Sequence, residues 1–235
     1  MSKRATLAVL LPTLALTLVG CTGEDGGKDD GGAGAEDLGG RLSAARTVLD
    51  DAASLELDLA TKALPSGVTG LLDAAGTGTH APAFEGDVTV SLKGVPVKAE
   101  VVSVDGKVYA KTGFAPDFVP LDPATIGAPD PAALVAADDG ISSLLEETDD
   151  LEDGGESRDG RDVLTTITGT IAGRDVRALI PTAQADATFD ATYRLTEDDV
   201  LRDVTLKGLF YESDEPVVYT IAVTASDDDV EITAP

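Results

Sequence analysis

Apolar and polar positions alternate along most of this chain, and the alternation predicts a sheet. Leu55, Leu57 and Leu59 alternate with Glu56, Asp58 and Ala60, which marks a half-buried strand running toward Pro65. Val88, Val90 and Leu92 alternate with Asp87, Thr89, Ser91 and Lys93, and a turn centred on Gly94 then leads to Val95, Val97, Ala99 and Val101. Asp105-Gly106 is a hairpin signal. It joins a strand ending at Val104 to Val108-Tyr109-Ala110-Lys111, so three consecutive strands form an antiparallel meander. The same period predicts strands over 161–171, 187–196, 200–210 and 216–225.

Helical spacing is rarer. Leu42, Ala45, Val48, Leu49 and Ala52 share one face at intervals of three and four, with Arg41, Arg46 and Asp50 opposite. Between 114 and 148 the alternation fails and five prolines cut the chain into short pieces. Asp122-Pro123 and Asp130-Pro131 each set an N-cap acid before a first-turn proline, the favoured order at a helix start. Ile141, Leu144, Leu145 and Thr148 trace a narrow helical face, and a last short helix is predicted over 173–180, where Val176, Leu179 and Ile180 precede Pro181. The fold class is therefore α+β, a large curved antiparallel sheet with short helices over its concave face. Such a sheet must bury that face, and the helices offer little apolar area for it. Two outcomes follow from composition: the helices fill the concave side as an ordinary core, or a hydrophobic cavity remains that stays dry and receives apolar ligands.

The first forty residues read differently. Lys3 and Arg4 precede an apolar run over 5–19, which ends in Leu18-Val19-Gly20-Cys21. A basic start, a short apolar segment and small residues before a cysteine make a bacterial lipoprotein signal. The run is shorter than the ~20 residues that span a bilayer as a helix, so residues 1–20 are expected to be removed and Cys21 to be acylated. Cys21 is the sole cysteine, which rules out an intrachain disulfide. Residues 22–40 are almost all Gly, Asp, Glu and Ala, with Leu38 the one large apolar residue, and are expected to form a flexible linker as 21–40 with the lipidated cysteine. A single domain is expected over 41–235. The expected location is the extracytoplasmic face of the cell membrane, with partial secretion as a variant.

Composition limits the partners. Loss of Lys3 and Arg4 with the signal leaves 15 basic against 43 acidic residues, a formal charge of −28. Nucleic acid is excluded as a partner by a field of that sign, and adsorption to anionic headgroups is disfavoured, which leaves the acyl group on Cys21 to make the membrane attachment. The chain has no tryptophan and no asparagine, so sugar-stacking surfaces and N-glycan acceptor sites are poorly equipped. An enzyme lacks parts: there is one histidine, His80, in a loop-like Gly-Thr-His-Ala-Pro, and no Gly-x-Ser-x-Gly elbow or Gly-rich phosphate loop. Asp227-Asp228-Asp229 lacks the spaced ligands and glycine of an EF-hand and reads as a solvated turn. No catalytic residue, metal site or cofactor is expected.

Several segments together resemble the actinobacterial LppX/LprA/LprF/LprG lipoprotein family. They are Phe84-Glu85-Gly86-Asp87-Val88-Thr89-Val90, Val104-Asp105-Gly106-Lys107-Val108-Tyr109-Ala110, Asp122-Pro123-Ala124, and Gly160-Arg161-Asp162 with Ile167-Thr168-Gly169, behind a lipobox and a polar linker. The resemblance implies a half-barrel sheet of the LolA/LolB type with helices over its mouth and a cavity for acyl chains. It implies carriage of a lipid or glycolipid with two or three acyl chains from the cytoplasmic membrane toward the cell envelope. Expected lining residues are Val88, Val90, Leu92, Val97, Val101 and Val108 from the meander, and Phe189, Tyr193, Leu195, Val204 and Leu206 from the later strands; for each, a plain core role is the alternative. The acidic stretch 146–153, with Glu156 beyond, departs from the family pattern and is expected beside the cavity entrance. The competing reading is a non-catalytic adaptor for an exporter or a cell-wall assembly factor, with a filled core and a flat apolar patch.

Overall fold

The computed structural model describes residues 34–137 and 139–235. The expected signal, Cys21 and most of the expected linker lie outside the described residues. Helix α1 spans Ala35–Asp50, so the last six residues assigned to the linker belong to the domain. Leu38 stands four residues before Leu42 and completes a stripe with Ala45 and Leu49. All four are at most 2% exposed. The polar side of α1 is tied down as well: Arg41 pairs with Asp199, and Arg46 bridges Asp50 and Glu146.

Eleven antiparallel strands follow: β1 (Ser54–Thr61), β2 (Gly70–Thr79), β3 (Ala83–Leu92), β4 (Val95–Val104), β5 (Lys107–Thr112), β6 (Val119–Leu121), β7 (Thr148–Asp159), β8 (Asp162–Ala172), β9 (Thr188–Leu195), β10 (Leu201–Gly208) and β11 (Val217–Ser226). They form one open sheet in the order β6-β5-β4-β3-β2-β1-β11-β10-β9-β8-β7. The first and last strands in sequence, β1 and β11, pair at its middle, Leu57 opposite Val223 and Leu59 opposite Ile221. Every neighbouring pair other than β1–β11 is a sequential connection, mostly a short hairpin. Lys93-Gly94 and Asp105-Gly106 turn with positive φ at both positions, the geometry that matches the twist of the flanking strands.

The predicted meander is β3–β4–β5, with Val90 opposite Val97 and Val101 opposite Ala110. Both proline-led helix starts form. Asp122 caps a 3-10 turn over Pro123–Ile126, and Asp130 caps helix α2 (Pro131–Leu134), each accepting a backbone N–H two residues on. A second 3-10 turn covers Ile141–Leu145, and helix α3 covers Gly173–Leu179.

Three strands had no prediction. β2 carries three glycines and a bulge between Leu71 and Asp73, so its apolar residues fall out of step. β6 is three residues long. β7 holds the acidic stretch, exposed over nearly its whole length; it pairs only with β8 and forms one edge of the sheet. Charge on an edge strand blocks pairing with another chain. That placement corrects the expectation for 146–153, because β7 lies at the opposite edge from the β3–β6 meander.

The inner face of the sheet is divided. Over β8–β11 it is covered by α1, the 3-10 turn at 141–145 and α3, and makes the main core, with Ile167, Phe189, Tyr193, Leu195 and Leu206 all at most 1% exposed. Phe210 meets Phe189 and Tyr219 edge-to-face at 4.9 Å, and the Phe189 ring lies on Gly208, where a Cβ would come within 2.3 Å of it. Val101, Val108 and Ala110 make a separate, smaller cluster on the meander side.

Since Leu38 is part of the core and not of a tether, Leu38→Ala is expected to lower unfolding free energy by about 2–5 kcal/mol, read from the urea midpoint. A change under about 0.5 kcal/mol, the scale of surface substitutions, would return residues 35–40 to the linker.

Candidate ligand-binding cavity

Over β1–β6 no long helix among the described residues covers the inner face. Its roof is the proline-rich segment 115–141, whose short turns present Pro123, Ile126, Pro129, Pro131, Leu134 and Ile141 to the sheet. Beneath it lies a cavity of about 290 Å³. Its floor comes from alternate residues on six adjacent strands and from Ile221: Leu57 and Leu59 of β1, Leu71 and Ala74 of β2, Phe84, Val88, Val90 and Leu92 of β3, Val97, Ala99 and Val101 of β4, Val108 and Ala110 of β5, Val119 and Leu121 of β6. Thr112 is the sole lining residue with a polar side chain, and no lining residue titrates. An apolar hollow of this kind holds no water firmly, because water needs two to four polar partners. Leu92 and Val119 line it and are still 40% and 50% exposed, so the hollow reaches the surface between the β3–β4 turn and β6.

The roof is pinned at both ends of α2. Asp130 Oδ1 accepts from Ser103 Oγ of β4 at 2.6 Å while capping the helix. At the other end the Val135 side chain sits on Gly78 of β2, where a Cβ would lie 2.7 Å from its methyls. His80 sets the rest: Nδ1 lies 2.9 Å from the Val135 carbonyl and Nε2 2.9 Å from the Leu49 carbonyl. Both ring nitrogens are occupied by backbone at the ends of α1 and α2, which makes this histidine a clamp and removes it as a free general base.

A second polar device supports the floor. The bulge frees Leu71 from β1, whose pairing with β2 stops at Asp73. Tyr219 donates to the Leu71 carbonyl at 2.6 Å, the Leu71 N–H donates to the Tyr211 hydroxyl at 3.2 Å, and the two phenols meet at 2.7 Å. Burial, then the neighbouring Tyr211, pushes the Tyr219 phenol far above its ordinary value. Both rings therefore stay neutral.

Of the expected lining residues, Val88, Val90, Leu92, Val97, Val101 and Val108 all line the cavity. The five from later strands face the same side of the sheet but lie under α1 and its neighbours. Phe189 and Leu195 are packed core, and Tyr193, Val204 and Leu206 border a void of about 10 Å³, room for one water at most. Leu206 also borders a gap of about 40 Å³ beside Phe210 and Ile180. Tyr193 is an anchor: its hydroxyl meets Thr148 Oγ1 at 2.7 Å, and burial pushes it up to about 12. Leu57 and Leu59 follow from the period-two pattern of β1. Leu71 has no such signal, because the bulge breaks the alternation. Among the described residues no cluster of His, Cys, Asp and Glu could hold a metal ion, and no helix is long and apolar enough to cross a membrane.

An open antiparallel sheet, packed on one half of its inner face and hollow on the other, defines the class of domain. The chain belongs to the LppX/LprA/LprF/LprG lipoprotein family, whose model, described as LppX_LprAFG lipoprotein, matches residues 38–234. The match begins inside α1, at the first buried residue of its stripe. LprF from Mycobacterium bovis has a similar fold, with a TM-score of 0.67 and 15% identity, over 87% of this chain and 99% of that one. LppX from Mycobacterium tuberculosis is similar at a TM-score of 0.61 and 15% identity, over 85% of this chain and 100% of that one. A LolA superfamily protein from Nitrosomonas europaea resembles the chain too slightly to bear on its fold, at a TM-score of 0.29 and 6% identity. No curated protein matches the chain significantly.

Two outcomes follow from the polar anchors. His80→Ala removes the imidazole bridge between the Val135 and Leu49 carbonyls and is expected to cost about 1–3 kcal/mol and to speed amide exchange over 131–135, read by mass spectrometry. Tyr193 stays protonated in the fold to about pH 12, whereas the unfolded phenol ionises near pH ~10. Its contribution is thus full below pH ~10 and lost as the pH rises toward ~12. Urea midpoints should fall across that window, and less steeply in Tyr193→Phe.

Proposed function

We propose that this chain is a membrane-anchored carrier that holds the acyl chains of a lipid or glycolipid in the cavity and conveys it from the cytoplasmic membrane toward the outer envelope, without catalysis. The observation that carries this reading is the hollow, apolar but for Thr112, with its lining residues Leu92 and Val119 exposed to solvent. Each CH₂ withdrawn from water contributes about 0.8 kcal/mol, so a lone acyl chain crossing an aqueous space faces a barrier on the order of 10 kcal/mol, and a lined hollow removes it. The volume, about 290 Å³, lies just below the ~300–1,000 Å³ usual for ligand pockets. Acylation of Cys21 after removal of residues 1–20 would hold the domain at the extracytoplasmic face, and residues 21–34 would serve as its tether. The alternative adaptor role calls for a filled core, and the hollow weighs against it.

The test is native purification of the full chain, organic extraction and mass spectrometry. A stoichiometric acyl lipid is the expected result; an empty extract after incubation with total membrane lipid would sink the carrier reading. Val88→Trp and Val90→Trp fill the hollow from its floor and are expected to cut lipid occupancy several-fold with the fold retained, judged by an unchanged circular dichroism spectrum. Equal occupancy in both variants would remove these side chains from the binding surface.

A further inference from the structure

The hollow has a closed end, and one aromatic ring forms it. Leu57, Gly76, Gly86, Val101 and Ala110 stand opposite one another on β1 to β5 as a single inner row of the sheet. Leu57, Val101 and Ala110 line the hollow, while the paired glycines between them present no side chain to it. Neither glycine can carry one: a Cβ at Gly76 would lie 2.3 Å from the Glu85 carbonyl oxygen, and one at Gly86 2.2 Å from that of Ala75. The row therefore holds a recess over β2 and β3. The ring of Phe84 lies in it, its tip 2.6 Å from where the Gly76 Cβ would be. Phe84 is 3% exposed and is the only aromatic residue among the described residues that line the hollow.

The next inner row completes the closure. It runs through Leu55, Gly78, Phe84, Ser103 and Val108. Val135 sits on Gly78 to one side of Phe84, and Asp130 is bonded to Ser103 on the other, so α2 and its flanks come down on the sheet along this row. The opposite end of β3 is different. Leu92 lines the hollow there at 40% exposure, eight residues from Phe84, about 26 Å of strand. Thr112, the sole polar side chain of the lining, stands at the end of β5 remote from Val108 and the closed row.

We propose that Phe84 is the end stop of the hollow and sets the length of acyl chain it accepts. The inference rests on the carrier reading and adds to it a residue that selects among cargoes. A polar headgroup buried at the apolar end would give up its hydration for no partner, so a lipid inserts methyl end first and keeps its head toward the Leu92 end. The terminal methyl then meets the Phe84 ring. A chain too long for the space leaves its last carbons in water at the mouth, without the burial that stabilises the rest. A smaller side chain at 84 uncovers the glycine recess, which stays open because the ladders of β2 and β3 hold Gly76 and Gly86 in place. A larger one moves the stop toward the mouth.

The full chain and its Phe84→Leu, Phe84→Trp and Phe189→Leu variants are incubated with an equimolar series of saturated monoacylglycerols that differ only in chain length. Each protein is then repurified and extracted, and the bound chains are counted by mass spectrometry. These probes are uncharged, so the acidity of the chain does not bias the result. Occupancy of the unsubstituted chain is expected to fall several-fold beyond one limiting length. F84L should move that limit to longer chains and F84W to shorter ones. Phe189→Leu removes a ring from the packed half of the sheet and should leave the limit where it is. General loss of packing lowers occupancy at every length and cannot move the limit in opposite directions. A limit that stays put in both Phe84 variants, or moves the same way in both, overturns the end stop and leaves the carrier reading standing. Equal binding of all lengths by the unsubstituted chain does the same without any variant. No bound monoacylglycerol in any protein, together with an empty extract of the natively purified chain, ends both readings.

Discussion

One mismatch governs this structure: an eleven-stranded sheet has one long inner face, and among the described residues a single helix is long enough to cover half of it. The stripe of α1 from Leu38 to Leu49 seals β8–β11 together with the turn at 141–145. The remaining strands receive a roof of prolines and one-turn helices, whose stiff, short pieces span the space without descending into it. Small side chains on the floor, with Ala74, Ala99 and Ala110 among them, keep it from being filled from below. The hollow is what close packing of such parts leaves over, and it is held open by polar contacts outside it.

Those contacts share a design. Asp130 with Ser103, His80 with two helix-end carbonyls, and Tyr211 with Tyr219 and Leu71 all satisfy backbone or buried polar groups at the margin of the cavity. Buried polar groups are costly unless paired, so each device fixes a geometry and none intrudes on the apolar lining. The roof is thus located by hydrogen bonds and needs no tight packing against the floor, which would close the space.

Much of this was legible in residue order. Period two identified eight of the strands and the faces of β3, β4 and β5, because apolar and polar residues alternate along them, and in β4 and β5 burial alternates with them. The Asp-Pro pairs located both roof turns. What escaped reading did so for physical reasons. β7 has no apolar face to alternate, since an edge strand with a solvated rim needs none. β2 is disguised by glycine and a bulge. The later strands show the same inner face as the meander, and only the path of α1 decides that Phe189 and Leu195 are core while Val88 and Val101 face a hollow. Leu38 was hidden by its acidic and glycine-rich neighbours, although its spacing to Leu42 was in plain sight.

The split of the apolar residues into two separate clusters has a consequence for how such proteins diversify. In a domain with one continuous core, any change of volume in a binding wall is a change in the packing that holds the fold. Here the wall borders empty space, so exchanging Val97 or Ala99 for a larger or smaller apolar residue alters the shape of the hollow while the α1-covered half keeps its own packing. The hollow can change shape under selection without eroding foldability, and chains 15% identical keep a similar fold.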